Sequence, residues 1–158
     1  MTGKPDYKKL RSLSVFKDLN ENELKMVSEH VFEQKVKKDS VLFVEGMPGE
    51  LLYIIMSGCV EIIKEMKDSE KLSLATMTAD DVIGEMSLID SEPRSATGIT
   101  IEDSVLLVIK RQDFDEILKS DPHVAVKVLL GLLKIISGRL RKTDKKIEEI
   151  KKIVEKQE

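Results

Sequence analysis

Between Ser40 and Lys110 the sequence breaks into seven short apolar runs, and this spacing constrains the fold more than any other feature: "SVLFVEG", "ELLYIIMSG", "CVEIIKEM", "KLSLATMT", "DDVIGE", "ATGITIED" and "SVLLVIK". Gly46, the Met47 to Gly49 turn, Gly58 and Gly84 punctuate them. Short β-branched runs separated by turn residues at close intervals stack as strands of a sandwich or roll, because each run is too short for a helix. The expectation is therefore a mainly β fold, an antiparallel β-roll of the jelly-roll-like, double-stranded β-helix type. Ser57-Gly58 predicts a hairpin turn between two antiparallel neighbours, since glycine takes positive φ without steric cost, and Lys67 to Glu70 predicts the next.

Both flanks change period. From Tyr7 to Glu33, Leu10, Leu13, Phe16, Leu19, Leu24, Val27 and Val31 recur at helical spacings, and Asn20 is placed to cap a helix from Glu21 to Phe32. After Lys110, Phe114, Ile117 and Leu118 share a helical face; Ser120 to Pro122 ends that helix and Asp121 caps the next. In that last helix Val126, Leu129, Leu133, Ile136, Leu140, Thr143, Ile147, Ile150 and Val154 alternate by three and four, the seam of a coiled coil. Leu130, Leu132 and Ile135 widen the stripe early on, whereas from Arg141 the off-seam positions are almost all charged. The pattern predicts a β-roll with flanking helices over 1–122. Over 123–158 it predicts a helix that closes the roll and then pairs with a second copy in a parallel homodimer.

Charge and residue usage remove several function classes. With 26 Lys and Arg against 29 Asp and Glu, the formal charge is -3, which argues against direct nucleic acid binding by bulk electrostatics. The basic run Lys145, Lys146, Lys151 and Lys152 is interleaved with Asp144, Glu148, Glu149 and Glu155, as on a solvated helix face. Cys59 is the single cysteine, so a disulfide framework is excluded, a cytoplasmic setting is the default, and the thiol reads as a small buried hydrophobe. No run of eighteen apolar residues points to a membrane. His30 and His123 stand without the partners a metal needs. No Ser/His/Asp set, Walker-type loop or carboxylate dyad is legible, so the expectation is a non-enzyme without cofactor or metal.

Polar chemistry concentrates in "GEMSLIDSEPRSATG", Gly84 to Gly98. Gly84 permits a sharp turn into one helical turn, which Met86 and Ile89 could anchor on the core, and the first amides of that turn face outward. Arg94 brings a planar fork that suits phosphate oxygens, and Ser95 a hydroxyl and an amide. Glu85 repels a bare phosphate, so it fits a ligand that also brings a hydroxyl, as a ribose does. The bland alternative is an ordinary Glu85–Arg94 ion pair across a turn, worth little.

The stretch "GEMSLIDSEPRSAT" closely resembles the phosphate-binding cassette of cyclic nucleotide-binding domains, the family of the catabolite activator protein and the regulatory subunits of cyclic-AMP-dependent kinase. "VFKDLNENEL" (Val15 to Leu24), "EGMPGELLYIIMSGCVEI" (Glu45 to Ile62) and the helix pair after Lys110 extend the likeness over Leu10 to about Leu140. The resemblance implies that Glu85 accepts the ribose 2′-hydroxyl, Arg94 clamps the phosphate and Ser95 adds a donor, with Gly84, Met86, Ser87 and Ala96 lining the cradle. It implies cyclic AMP as ligand, with cyclic GMP as the alternative, and signalling to a protein effector. "RLRKTD", Arg139 to Asp144, resembles the segment whose threonine reads adenine, which would make Thr143 the base reader. An ungapped count from Pro122 puts Arg139 and Leu140 at that place instead. Relatives that regulate transcription carry a helix-turn-helix after this helix, and no such pattern precedes Glu158; a free-standing receptor and the sensor part of a larger effector are both open.

Overall fold

The computed structural model describes residues 2–66, 70–89 and 92–155, without the side chains of Thr2 and Ser87. Among these residues the strands form two antiparallel sheets. In the larger, β1 (Thr2–Gly3), β2 (Val31–Val36), β9 (Ser104–Lys110), β4 (Leu51–Ser57) and β7 (Val82–Ile83) lie side by side in that order. In the smaller the order is β3 (Val41–Phe43), β8 (Thr97–Thr100), β5 (Val60–Glu65) and β6 (Lys71–Met77). The expected β-roll with flanking helices is what the chain forms.

Central strands β4 and β9 pair directly and are buried on both faces, which is why each reads as an unbroken apolar run. Leu52, Ile54, Leu107 and Ile109 join a cluster with the helices, while Tyr53, Ile55, Leu106 and Val108 fill the space between the sheets together with Val60 and Met77. Alternation along one strand thus feeds two cores.

Two local expectations are corrected. Ser57-Gly58 is not a hairpin turn: β4 pairs with β7 and β9, and β5 with β6 and β8, so the chain crosses from one sheet to the other at this corner. The crossing presses Gly58, at φ 91°, against β9, where an added Cβ would lie 2.6 Å from Ser104 Cα. Helix α2 spans Glu21–Ser28 and stops short of Phe32. Val31 and Phe32 instead pair with Ile109 and Val108, because a β-branched and an aromatic residue beside a buried strand gain more from the sheet than from another helical turn. The capping box is present as expected: Asn20 Oδ1 accepts from Glu23 N at 3.0 Å, and Glu23 Oε2 accepts from Asn20 N at 2.7 Å. Strands β5 and β6, on either side of the turn expected at Lys67 to Glu70, pair antiparallel, and residues 67–69 themselves lie outside the described part.

The remaining helices are α1 (Tyr7–Leu10), a 3-10 turn at Ser14–Phe16, α3 (Arg111–Ser120) and α4 (Pro122–Glu155). Asp121 caps α4, its Oδ1 accepting from Val124 N at 3.2 Å. Val124, Ala125, Val128 and Leu132 sink into the helical cluster with Phe16 and Phe114. Gly131 lies against the 3-10 turn so closely that an added Cβ would meet Val15 C at 2.8 Å and its carbonyl oxygen closer still. Lys127 Nζ to Glu23 Oε1 (2.7 Å) and Lys134 Nζ to Asp18 Oδ2 (2.6 Å) tie the same stretch of α4 to the N-terminal elements. From Arg141 to Glu155 every residue is exposed, Ile147, Ile150 and Val154 among them. No helix among the described residues is long and apolar enough to cross a membrane.

Candidate ligand site

A cavity of about 190 Å³ opens between the smaller sheet, the turn after β7 and α4. Its sheet wall is apolar, with Ile62 of β5 and Ala75 and Met77 of β6. Its other end is polar, where Gly84, Glu85, Arg94, Ser95 and Arg139 converge. The sequence thus brings together, across a turn and a long helix, two guanidinium groups and one carboxylate.

The Gly84 to Ala96 stretch is shaped by backbone constraints. Gly84, at φ 77°, opens the 3-10 turn Glu85–Leu88. An added Cβ there would stand 2.8 Å from Leu51 O and closer still to the Arg94 guanidinium, so glycine is required twice over. Leu88 anchors the turn at 7% exposure, whereas Met86 and Ile89, expected to do so, are 55% and 70% exposed. A 3-10 turn places its side chains at three residues per turn, and here that points Met86 to the cavity rim instead of the core. Further on, Arg94 N donates to Met47 O at 2.9 Å and Arg94 O accepts from Gly46 N at 2.8 Å, which pins the arginine to the loop before β4.

Arg94 itself is only 8% exposed. Its Nη2 donates to Leu51 O at 2.6 Å, its Nε is buried without a hydrogen-bond partner, and it forms no ion pair among the described residues. The Glu85–Arg94 pair considered above is therefore absent. Glu85 Oε1 stands 3.5 Å from Arg139 Nη1 instead. Burial draws the Arg94 guanidinium below its ordinary pKa, with the Tyr53 phenol and the Glu85 carboxylate pulling the other way. An arginine stays charged in proteins, so this is a buried cation with no ion-pair partner among the described residues, an arrangement that an anion would stabilise.

Of the residues singled out in the sequence, Gly84, Glu85, Met86, Arg94, Ser95 and Ala96 all line this cavity. Ser87 lies in the 3-10 turn, and its side chain falls outside the described part. Thr143 is not brought to the cavity: its hydroxyl donates to Arg139 O at 3.1 Å, and the residue borders a separate groove between α4 and β6. One helical turn nearer the roll, Arg139 occupies the wall instead, with Nη2 on Val82 O at 2.5 Å and Nε buried without a partner. The ungapped count from Pro122 pointed to Arg139 and Leu140, and of these Arg139 is the one that enters. Phe43 was missed altogether; its ring reaches the cavity from β3, and a lone aromatic in an alternating strand gives no signal of that.

The family model for the cyclic nucleotide-binding domain matches residues 33–121. This chain belongs to that family. Members similar to it include the anaerobic regulatory protein of Bacillus subtilis, 33% identical over 119 residues, 75% of this chain and 48% of that protein. The cyclic AMP receptor protein of Thermus thermophilus is 31% identical over 107 residues, 68% of this chain and 48% of that protein. Among solved structures, a cyclic nucleotide-binding domain from Methylobacillus flagellatus superposes with a TM-score of 0.83 at 28% identity, covering 90% of this chain and 83% of that one. The chain spans about half the length of the curated relatives it matches. Strands β3 to β9, the 3-10 turn Glu85–Leu88 and Arg94 fall inside the matched family segment, while β1, the N-terminal helices and α4 lie outside it.

Proposed function

We propose that this chain is a cytoplasmic, non-enzymatic sensor that binds cyclic AMP in the cavity above and passes the binding event through α4 to a protein effector, as a parallel homodimer. The observation that carries the reading is Arg94, a buried guanidinium with an unspent Nε at the polar end of a half-apolar cavity. A cyclic phosphate supplies the missing anion and the apolar wall takes the base. Glu85 accepts the ribose 2′-hydroxyl once Arg139 releases it, with Ser95 and the backbone of Gly84 to Ser87 completing the cradle. Supporting the nucleotide are the family match and the cyclic AMP receptor protein of Thermus thermophilus. Supporting the dimer is the exposed apolar stripe of Leu133, Leu140, Ile147 and Val154 on α4.

Calorimetric titration with cyclic AMP, cyclic GMP and cyclic di-GMP tests the ligand. Arg94→Ala removes the partner of a partly desolvated phosphate, a loss of about 2–5 kcal/mol, or roughly thirty-fold to several-thousand-fold in Kd. Near-unchanged affinity in that variant defeats the assignment. Base preference is tested on Thr143→Val with cyclic AMP and cyclic GMP: a selective loss of cyclic AMP restores Thr143 as the reader, and equal changes leave Thr143 a role in helix register alone. A second reading, the sensor segment of a longer effector such as a transcription regulator, is favoured by the 48% share of the curated relatives that is matched.

A further inference from the structure

Arg94 forms no ion pair among the described residues, yet something lies against its charge. The Phe43 ring centroid is 4.6 Å from Arg94 Cζ, at the distance where a guanidinium is attracted to the negative face of an aromatic ring. Phe43 is itself held from two further sides. It stacks on Tyr53, with centroids 6.0 Å apart and planes 22° from parallel. Across the strand pair it sits opposite Gly98 of β8, where an added Cβ would lie 2.6 Å from two ring atoms. The ring therefore occupies the space that any other residue at 98 would fill with its own side chain.

We propose that Phe43 is the positioning residue for Arg94. Its ring face lies against the cation and fixes the plane in which the guanidinium presents its edge to the ligand. The bond from Nη2 to Leu51 O secures one corner of the group but leaves rotation about that bond open. A flat ring against the flat cation closes that freedom, and it does so without supplying an acceptor that would compete with a phosphate. The buried Nε, which has no hydrogen-bond partner among the described residues, is held with the rest of the group. This inference rests on the ligand reading of Arg94 and adds to it the group that orients the clamp.

The test replaces Phe43, site-specifically, with phenylalanines carrying one, two and three ring fluorines, which drain the π face while keeping its shape. Two quantities are read: the Tm of the ligand-free chain and the Kd for cyclic AMP. Both are expected to weaken step by step, the affinity by about five-fold across the series, and the steps are expected to vanish in an Arg94→Ala background. A Tm and Kd indifferent to fluorine overturn the proposal, as does a dependence that survives without Arg94. Gly98→Ala, which pushes the ring from its seat, is expected to weaken cyclic AMP binding in the same direction. If the natural chain binds no cyclic AMP, the ligand reading fails, and the Tm series still decides whether Phe43 holds Arg94.

Discussion

Replacing glycine by alanine inside a helix normally stabilises a protein, by about 1 kcal/mol, and α4 carries two glycines for which the structure demands opposite signs. At Gly138 an added Cβ meets nothing within 4 Å, so Gly138→Ala gains the helix propensity without penalty. At Gly131 the new methyl would press on Val15 backbone atoms, 2.8 Å from its carbonyl carbon, and a backbone cannot rotate away as a side chain can. Ordinary carbon contacts need roughly 3.5–4.0 Å, so α4 must back off the 3-10 turn by on the order of 1 Å. Overpacking of this kind costs about 1–3 kcal/mol, and subtracting the propensity gain leaves a net loss near 1 kcal/mol. For a domain of this length 1 kcal/mol moves Tm by about 2–4 °C, up for Gly138→Ala and down for Gly131→Ala. Thermal unfolding followed by circular dichroism, at one fixed protein concentration so that any association does not shift the midpoint, should separate the two variants by roughly 4–8 °C. A stabilising Gly131→Ala would refute the close approach of α4 to Val15.

The Lys127 hydrogen bond, and then the Asn20 amide, hold the Glu23 carboxyl below the usual glutamate range. A depressed carboxylate contributes stability above its unfolded pKa and loses it as pH falls through the folded value, so Glu23→Gln should flatten the fall in Tm on the acid side of the ordinary glutamate pKa; an unaltered acid limb counts against the contact. Burial pushes the Cys59 thiol up, and a buried thiol of that kind should react with a disulfide reagent only at the rate of unfolding, which rapid labelling of the folded chain would contradict. Sedimentation at micromolar concentration should give a dimer, and truncation after Ser137, which removes Leu140, Ile147, Ile150 and Val154, a monomer; a monomeric full chain removes the coiled-coil reading.

The roll was legible because β4 and β9 are buried on both faces and so announce themselves as continuous apolar runs. What the sequence could not tell was which strands pair. Ser57-Gly58 has the composition of a hairpin, and only the partners of β4 and β5 reveal a corner between sheets. Likewise Val31 continues the helical period of α2 by coincidence of spacing, and the neighbouring β9 decides its state. The Gly84 to Ala96 portion of the site was readable because its geometry is local: a positive-φ glycine and an arginine that it admits. Phe43 and Arg139 arrive from strand and helix far away in the chain, and their registers against the cavity depend on packing that no local motif records. Thr143 shows the same limit, since a shift of one turn along α4 moves a residue out of one cavity and onto the border of another.

Helix α4 is one uninterrupted element, pressed on the body at Gly131, touching the cavity at Arg139 and running on to Glu155. Eight residues separate the first two positions and twenty-four the first and last, about 12 Å and about 36 Å at 1.5 Å per residue. With Gly131 as fulcrum the helix is a lever whose far arm is three times its near arm. A displacement of about 1 Å at Arg139 would become about 3 Å at the tip. That is enough to change which residues of a neighbouring surface the end of the rod can touch.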